Sequence, residues 1–294
     1  MKELRRVDVE NFYSGSNWNF EKTTKYIYEI DGNKVETGYF EHYRDKDFIK
    51  SVIELPQTFG CPSKCQFCAS SAIENFETLS ADVLMEMFKR MYDENGLEGV
   101  SYVLLTMTGI GDIFFNYDNV KAFLLRIQGY QNLHVTLSSC FWNLELLRKV
   151  DSLNEIIKIK NIQITYVSNN KEKLEKLIPF YQGQTYYLGD VLRYIEMSDK
   201  EYYRINYIMI KDVNDSKEDF NSFCEILEKV RDKVIVRISR LNETGTTKRN
   251  GLLPTDISTL ERFQDFLQQK RISSYIFYAH KDDNMNCVQL ITEG

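Results

Sequence analysis

The chain has 294 residues, 43% of them apolar, which is enough to close a sizeable hydrophobic core. Its 37 basic and 43 acidic side chains give a net charge of -6, so bulk electrostatics favour neither nucleic-acid nor membrane binding. No apolar run approaches the roughly 18 residues that span a bilayer, and the first residues lack the apolar stretch of a secretory signal. We therefore expect a globular, cytoplasmic protein with no membrane partner.

Residues 23–55 predict a small antiparallel lead-in, because three extended apolar segments are separated by the Asp31-Gly32-Asn33 turn and by a charged break. After this lead-in, strands and helices alternate along the chain. The later strand candidates are SYVLLTM (101–107), HVTLSS (134–139), IQITYV (162–167), INYIMI (205–210), VIVRIS (234–239) and SYIFYA (274–279).

Helical segments separate these strands. Ser80 is placed to cap the first, ADVLMEMFKRMYDE, and the later ones carry apolar residues at three- and four-residue spacing. About six strand–helix units predict a parallel sheet with right-handed crossovers. A closed eight-stranded barrel usually takes about 250 residues, so six or seven strands predict an incomplete barrel, with a doubly wound sheet as the alternative. In either fold the chemistry belongs at the carboxyl ends of the strands.

Three of the six cysteines stand together in CPSKCQFC, as Cys61, Cys65 and Cys68. A structural zinc site usually closes with four ligands from two paired motifs, and the sequence has no second pair. Inert core cysteines are the other alternative. Three thiolates on one loop instead suit a cuboidal iron–sulfur cluster whose fourth iron stays open. That iron can chelate S-adenosylmethionine, and electron transfer into the sulfonium then gives a 5′-deoxyadenosyl radical.

CPSKCQFC, with an aromatic residue before its third cysteine, resembles the signature of the radical S-adenosylmethionine (radical SAM) superfamily. The later motifs are similar, in the same order, to those of its RlmN/Cfr-like RNA adenosine methyltransferase branch, and the likeness covers residues 23 to 294. The segments that carry it are TKYIYEIDGNKVETGYFEHYRDKDFIKSVIELPQTFGC (24–61), MTGIGDIFFNYDNV (107–120), VTLSS (135–139), INYIMIKDVNDS (205–216) and KDDNMNCVQL (281–290).

This resemblance implies an α/β fold with a partial (β/α)6 barrel, one [4Fe-4S] cluster and S-adenosylmethionine as cosubstrate. It also implies an electron donor such as flavodoxin or ferredoxin. We expect residues 1–50 to form the N-terminal β extension and residues 51–294 the catalytic barrel with its C-terminal segment.

The resemblance also assigns residues to the cofactors. Gly109, Gly111 and Asp112 match positions that hold the methionyl amino group, with Asp in place of the usual Glu. An acid after a glycine turn makes independent sense there, because an ammonium group needs a charged acceptor and room to approach. Gly60 allows a sharp turn into the cysteine loop. The remaining matches are Phe67 as cover for the cluster, and Ser139, Cys140, Thr165 and Asn242 as cosubstrate contacts, with Cys140 in place of a Ser.

Two further cysteines act in the branch's mechanism. One near the C-terminus is methylated by a first S-adenosylmethionine and then loses a hydrogen atom, and the carbon radical adds to adenine; Cys287 matches it. The other, seven residues before the first cluster ligand, resolves the protein–RNA crosslink, and Glu54 stands in its place. A carboxylate can remove a proton but cannot attack sulfur, so either Cys140 replaces the thiol or the reaction differs. We expect Cys224, within a helix, to be a core residue.

A second departure concerns the substrate. Housekeeping members carry a helical RNA-binding domain ahead of these strands, and we expect this chain to lack it, since 22 residues precede Thr23. The nearest basic segments, KTTK (22–25) and TTKRN (246–250), predict ordinary solvated loops.

Three hypotheses follow. The first is an RlmN/Cfr-like methyltransferase acting on adenosine in RNA or a related purine substrate. The second is a non-methylating radical SAM enzyme that abstracts hydrogen directly from a small molecule, nucleotide or peptide. The third is a noncatalytic, cluster-bearing binding or redox protein.

Overall fold

The computed structural model describes residues 1–12, 19–185, 188–201, 203–277, 285–286 and 288–292. The strands are β1 (Lys2–Phe12), β2 (Phe20–Ile30), β3 (Asn33–Arg44), β4 (Asp47–Glu54), β5 (Thr58–Phe59), β6 (Glu77–Thr78), β7 (Val103–Met107), β8 (Leu133–Ser139), β9 (Ile159–Tyr166), β10 (Tyr203–Met209), β11 (Val234–Arg240) and β12 (Ser274–Phe277). The helices are α1 (Ala81–Glu94), α2 (Ile113–Arg126), α3 (Leu144–Leu153), α4 (Lys171–Leu177), α5 (Leu188–Met197), α6 (Lys217–Leu227), α7 (Gly245–Arg249), α8 (Ile257–Gln269) and α9 (Gln289–Thr292).

One sheet contains every strand except β5 and β6, which form a separate short pair, and its order is β1-β2-β3-β4-β7-β8-β9-β10-β11-β12. The first four strands pair antiparallel. From β4 onward the neighbours are parallel, and helices connect them. Side chains from β2–β4 and β7–β12 line one cavity, so the sheet curves into an incomplete barrel. The parallel strands direct their carboxyl ends to one mouth of it.

Local sequence explains why the helices begin and pack where they do. Ser80 caps α1 by accepting a hydrogen bond from the Val83 amide at 3.3 Å. The buried face of α1 then carries Leu84, Phe88 and Met91, at helical spacing. Burial of such a stripe against the sheet supplies most of a helix's stability, since propensity alone is marginal.

The predicted fold class is confirmed: the α/β structure is a partial barrel with an N-terminal antiparallel extension rather than a doubly wound sheet. All the later strand candidates are strands, although the last two residues of SYIFYA lie outside the described part of the chain. Strand β1 and helix α3 were not predicted. The boundary at residue 50 stays a prediction, and β4 crosses it. Within the described ranges, no helix is long and apolar enough to cross a membrane.

Candidate active site

The barrel encloses a cavity of about 550 Å³, lined by alternate residues of its strands and by the loops that follow them. Its upper end, at the carboxyl ends of the parallel strands, is lined by Cys68, Asp112 and Cys140. Its lower end is lined by cationic side chains of β4, β10 and β11. The residues predicted to carry the chemistry therefore surround one space at the mouth where a barrel fold supports catalysis.

The cysteine loop follows β5 and depends on Gly60. This glycine has φ = 64°, and a Cβ there would lie 2.2 Å from the Asn75 carbonyl oxygen, so a side chain is excluded. Beyond it Cys61 and Cys65 are buried, and Cys68 is half-buried. The loop packs on an apolar cluster at the barrel mouth, which contains Phe67, Phe141, Val167, Leu174, Leu177, Ile178, Tyr181, Ile210 and Leu241.

The donor set of this loop fits the predicted cluster. Burial raises the pKa of Cys61 to about 12 and that of Cys68 to about 11, because apolar surroundings disfavour a thiolate and a bound metal would favour it. Across the described ranges, no three His, Cys, Asp or Glu side chains converge as ligands of a single metal ion do. Three thiols on one loop, with Cys68 lining the cavity, suit a multi-iron group with one open iron, because a tetrahedral structural ion takes four ligands. Phe67, the residue before Cys68, also lines the cavity.

A second loop, after β7, brings Asp112 to the same mouth. Gly111 has φ = 95°, and a Cβ on it would lie 2.1 Å from Thr58 Oγ1. At Gly109 a Cβ would lie 3.1 Å from Pro56. Both glycines are therefore required by close approach to the segment that enters the cysteine loop. Through this packing the two predicted cofactor loops hold each other in place.

Asp112 is the buried N-cap of α2. Its carboxylate accepts hydrogen bonds from the Phe114 amide at 2.9 Å, the Ser139 hydroxyl at 2.6 Å and the Cys140 amide at 2.8 Å. Burial raises the pKa of Asp112 to about 6, and these hydrogen bonds oppose the rise. A fixed carboxylate in a dry cavity wall is suited to receive an ammonium group.

The other predicted cosubstrate residues also line the cavity. Ser139 is buried against Asp112, while Cys140, Thr165 and Asn242 are half-buried. The interaction of Cys140 with the Cys65 thiol, together with burial, raises the pKa of Cys140 well above its usual range. Cys140 therefore lies against the cysteine loop. Cys224 is buried in α6, as expected for a core residue.

Glu54 ends β4 and its side chain lines the cavity. Glu54 Oε1 lies 2.9 Å from the Lys25 ammonium, and its Oε2 accepts a 3.3 Å hydrogen bond from Thr108. Lys25 Nζ also lies 3.2 Å from Glu36 Oε1. Lys25 and Glu36 are buried on β2 and β3, so one cation joins two carboxylates beneath the barrel mouth.

Cys287 lies outside the described residues, but its neighbour Val288 and the nearby Leu290 are described. The Val288 amide donates to Glu36 Oε1 at 3.0 Å, and the Leu290 amide donates to Glu36 Oε2 at 3.1 Å. The segment that carries Cys287 is thus tied to the same buried carboxylate as Lys25. Neither Lys25 nor Glu36 is predicted from the sequence, because β2 and β3 each carry several charged residues and nothing local distinguishes these two from the others.

The two basic segments are not solvated loops, so that prediction is wrong. KTTK lies in β2, where the Lys25 side chain is 1% exposed. TTKRN forms most of α7, with Thr246 and Thr247 buried. Lys25 is buried because it finds ionic partners in β3 and β4, whereas Lys248 and Arg249 are exposed on α7.

The fold is similar to that of a solved radical SAM enzyme. A radical SAM methyltransferase from Sphaerobacter thermophilus superposes with a TM-score of 0.76 at 18% identity, covering 98% of this chain and 80% of that one. No protein-family model matches the chain.

Sequence relatives confirm the resemblance to the RlmN-like branch. The chain is 28% identical over 264 residues to a "Probable dual-specificity RNA methyltransferase RlmN" of Spiroplasma citri, covering 86% of this chain and 71% of the relative. It is 28% identical over 293 residues to the protein of the same description in Pseudothermotoga lettingae, covering 96% and 79%. The chain is related to the RlmN-like branch of the radical SAM enzymes, as its motifs predicted.

Proposed function

We propose that this protein is a radical SAM methyltransferase that acts on adenosine in RNA or in a related purine substrate, with Cys287 as the methyl carrier. One observation carries the proposal: the cysteine loop and the Asp112 turn face one cavity, and Glu36 anchors the residues beside Cys287 at its wall. The RNA specificity named for the relatives supports the substrate class.

The cofactors are a [4Fe-4S] cluster and S-adenosylmethionine. When bound, they supply a 5′-deoxyadenosyl radical. Cys61, Cys65 and Cys68 would hold the cluster, and Phe67 would exclude water from it. The same loop's position beside Asp112 supports a shared binding site. Because cleavage consumes an electron, we include an external one-electron donor such as flavodoxin or ferredoxin in the proposal.

Asp112 would receive the methionyl ammonium group, and Gly109 and Gly111 would leave room for the cosubstrate backbone. Ser139 orients the Asp112 carboxylate through its 2.6 Å hydrogen bond. Thr165 and Asn242 would contact the cosubstrate from the opposite strands of the cavity. Cys140 would line this pocket beside Cys65.

Glu54 would accept the proton that leaves the substrate ring when the product forms. Lys25 and Thr108 fix the two oxygens of its carboxylate, which supports a positioned base rather than a solvent-facing strand end.

The Glu54 carboxylate also supports a second candidate function, a non-methylating radical SAM enzyme that abstracts hydrogen directly from its substrate. A thiol is needed to resolve a protein–RNA crosslink, and a carboxylate cannot replace it. In that function Glu54 would bind substrate, and Cys287 would carry no methyl group.

Mass spectrometry of the purified, cluster-bearing protein separates the two functions. We expect an added methyl group on Cys287, and release of 5′-deoxyadenosine when reductant, S-adenosylmethionine and an adenosine-containing RNA are added. Cleavage of S-adenosylmethionine with an unmodified Cys287 would favour direct hydrogen abstraction. Absence of cleavage would contradict both functions and favour a noncatalytic protein.

A further inference from the structure

The lower end of the barrel cavity is cationic. Lys50 of β4, Arg204 of β10 and Arg237 of β11 all line it and are half-buried. In β4, Lys50 stands four residues before Glu54 on the same face, which places it about 13 Å along the strand toward the amino end. The cations and the cysteine loop therefore lie at opposite ends of one cavity.

The two arginines are held by aromatic and amide groups. Arg237 Cζ lies 3.6 Å from the centroid of the Phe277 ring, and its Nη1 donates to Gln163 Oε1 at 3.3 Å. Arg204 Cζ lies 5.9 Å from the Tyr275 ring centroid. Within the part of the chain that the structure describes, neither arginine forms an ion pair with a carboxylate, and the buried Nε of Arg237 has no hydrogen-bond partner.

The positive charges are close enough to repel one another. Burial lowers the pKa of Lys50 to about 8, and the charges of Arg204 and Arg237 act in the same direction. Burial likewise lowers the pKa of Arg237 to about 10. Two acids also act on this group. The charge of Glu21, which pairs with His42 at 2.8 Å, favours protonated Lys50. The charge of Glu54, which pairs with Lys25 at 2.9 Å, favours protonated Arg237. In a protein of net charge -6, this concentration of positive charge calls for an anionic ligand.

We propose that Lys50, Arg204 and Arg237 bind a phosphate group of the substrate inside the barrel, with its purine directed toward the cysteine loop. The inference rests on the proposed function and narrows its substrate class. A planar guanidinium donates two parallel hydrogen bonds to phosphate oxygens, and a lysine adds a point charge. The phosphate belongs either to an RNA strand or to a free mononucleotide.

Calorimetric titration of the cluster-bearing, full-length protein tests this without turnover. Adenosine 5′-monophosphate, adenosine and a short single-stranded RNA are titrated anaerobically, without reductant and with S-adenosylmethionine at saturation. We expect the monophosphate or the RNA to bind at least tenfold more tightly than adenosine. Arg204→Gln and Arg237→Gln should remove that difference, while Arg237→Lys, which keeps the charge, should remove only part of it. Arg148→Gln, at an exposed position of α3, is the matched control.

Preference for the RNA would identify a strand, and preference for the monophosphate would identify a free nucleotide. Equal binding of all three compounds would overturn the proposal, as would parental affinity in properly folded Arg204→Gln and Arg237→Gln proteins. Because the readout is binding, its result stands apart from that of the Cys287 methylation experiment. Phosphate binding without a methylated Cys287 would count against the methyl-transfer function and leave this site intact.

Discussion

Lys25 Nζ lies 2.9 Å from Glu54 Oε1, at the point where β4 reaches the barrel mouth. The lysine side chain is 1% exposed, and the same ammonium group lies 3.2 Å from Glu36 Oε1. A carboxylate at position 54 is therefore one end of a buried ionic network rather than an exposed strand end. Glu36 connects that network to the backbone beside Cys287. Glu54, which stands in place of the branch's resolving cysteine, is therefore linked through Lys25 and Glu36 to the segment that carries Cys287.

Replacing Lys25 should destabilise the fold. Lys25→Met would leave the carboxylates of Glu36 and Glu54 buried without their cation, and losing one partner of a buried pair costs about 3–5 kcal/mol. Urea unfolding of the variant should show that loss in the free energy of unfolding. Lys22→Met, at an exposed position of the same strand, should change it by less than about 1 kcal/mol. Equal effects of the two substitutions would contradict a stabilising role for the network.

Removing the Glu36 carboxylate should release the backbone beside Cys287. In Glu36→Ala, the amides of Val288 and Leu290 lose their acceptor, and each hydrogen bond to a charged group contributes about 1.5–3 kcal/mol. Hydrogen exchange at these two amides should become at least about tenfold faster, because local opening controls it. Glu10→Ala, on the exposed edge strand β1, should leave exchange there unchanged. Unchanged exchange in Glu36→Ala would mean that other contacts hold the segment.

The barrel could be predicted from the sequence because the spacing of apolar residues shows which side of each strand or helix is buried. In β7 and in α1, apolar residues recur at the spacing of a buried strand and of a one-sided helix, and both elements form as predicted. Strand β1 was not predicted from the sequence, because it is an edge strand whose sequence, KELRRVDVENF, is almost wholly exposed. Charged residues suit such an edge, since they discourage pairing with another chain, but they mimic the composition of a loop.

The site was predictable where local sequence determines it and not where distant strands meet. The cysteine loop and the glycine turn before Asp112 are continuous segments, so their motifs are visible in the sequence. The contacts of Lys25 with Glu36 and Glu54 depend on the register of three strands. Because that register is not visible in the sequence, the composition of KTTK predicts a solvated loop instead. Arg204 and Arg237 likewise meet only through the pairing of β10 with β11.

The three loop cysteines should be required together. Substituting Cys61, Cys65 or Cys68 with Ala should abolish cluster absorption and reduce 5′-deoxyadenosine formation to background, because three irons of the cluster each need one protein thiolate while the fourth stays open. Iron and sulfide content should fall in parallel. Cys224→Ala, in the core side of α6, is the control and should retain the cluster. Normal turnover in Cys65→Ala would exclude this loop as the cluster site.

Affinity for S-adenosylmethionine should depend on the ionisation of Asp112. Its pKa is raised to about 6 by burial, so the carboxylate that we propose as the ammonium acceptor is present above that pH and is lost below it. Binding should therefore weaken as pH falls through about 6, by up to tenfold for each pH unit. Asp112→Asn should bind more weakly by about 1–3 kcal/mol at pH 8 and show no such step. A parental profile that is flat between pH 5 and pH 7, about one unit either side of that pKa, would assign the ammonium group to another acceptor.

Introducing a thiol at position 54 should restore the branch's route to product. In Glu54→Cys the sulfur would lie near the Lys25 ammonium, and an adjacent cation lowers a thiol pKa and raises the fraction of reactive thiolate. That thiolate can attack the sulfur of a protein–RNA crosslink: a disulfide forms, the bond between that sulfur and the RNA-bound carbon breaks, and the carbon takes up a proton to leave methylated RNA. Incubation with reductant, S-adenosylmethionine and RNA should give more methylated adenosine and less crosslinked protein than the parent. Glu54→Ala should retain the crosslink, and indistinguishable products from all three proteins would show that position 54 takes no part in the chemistry.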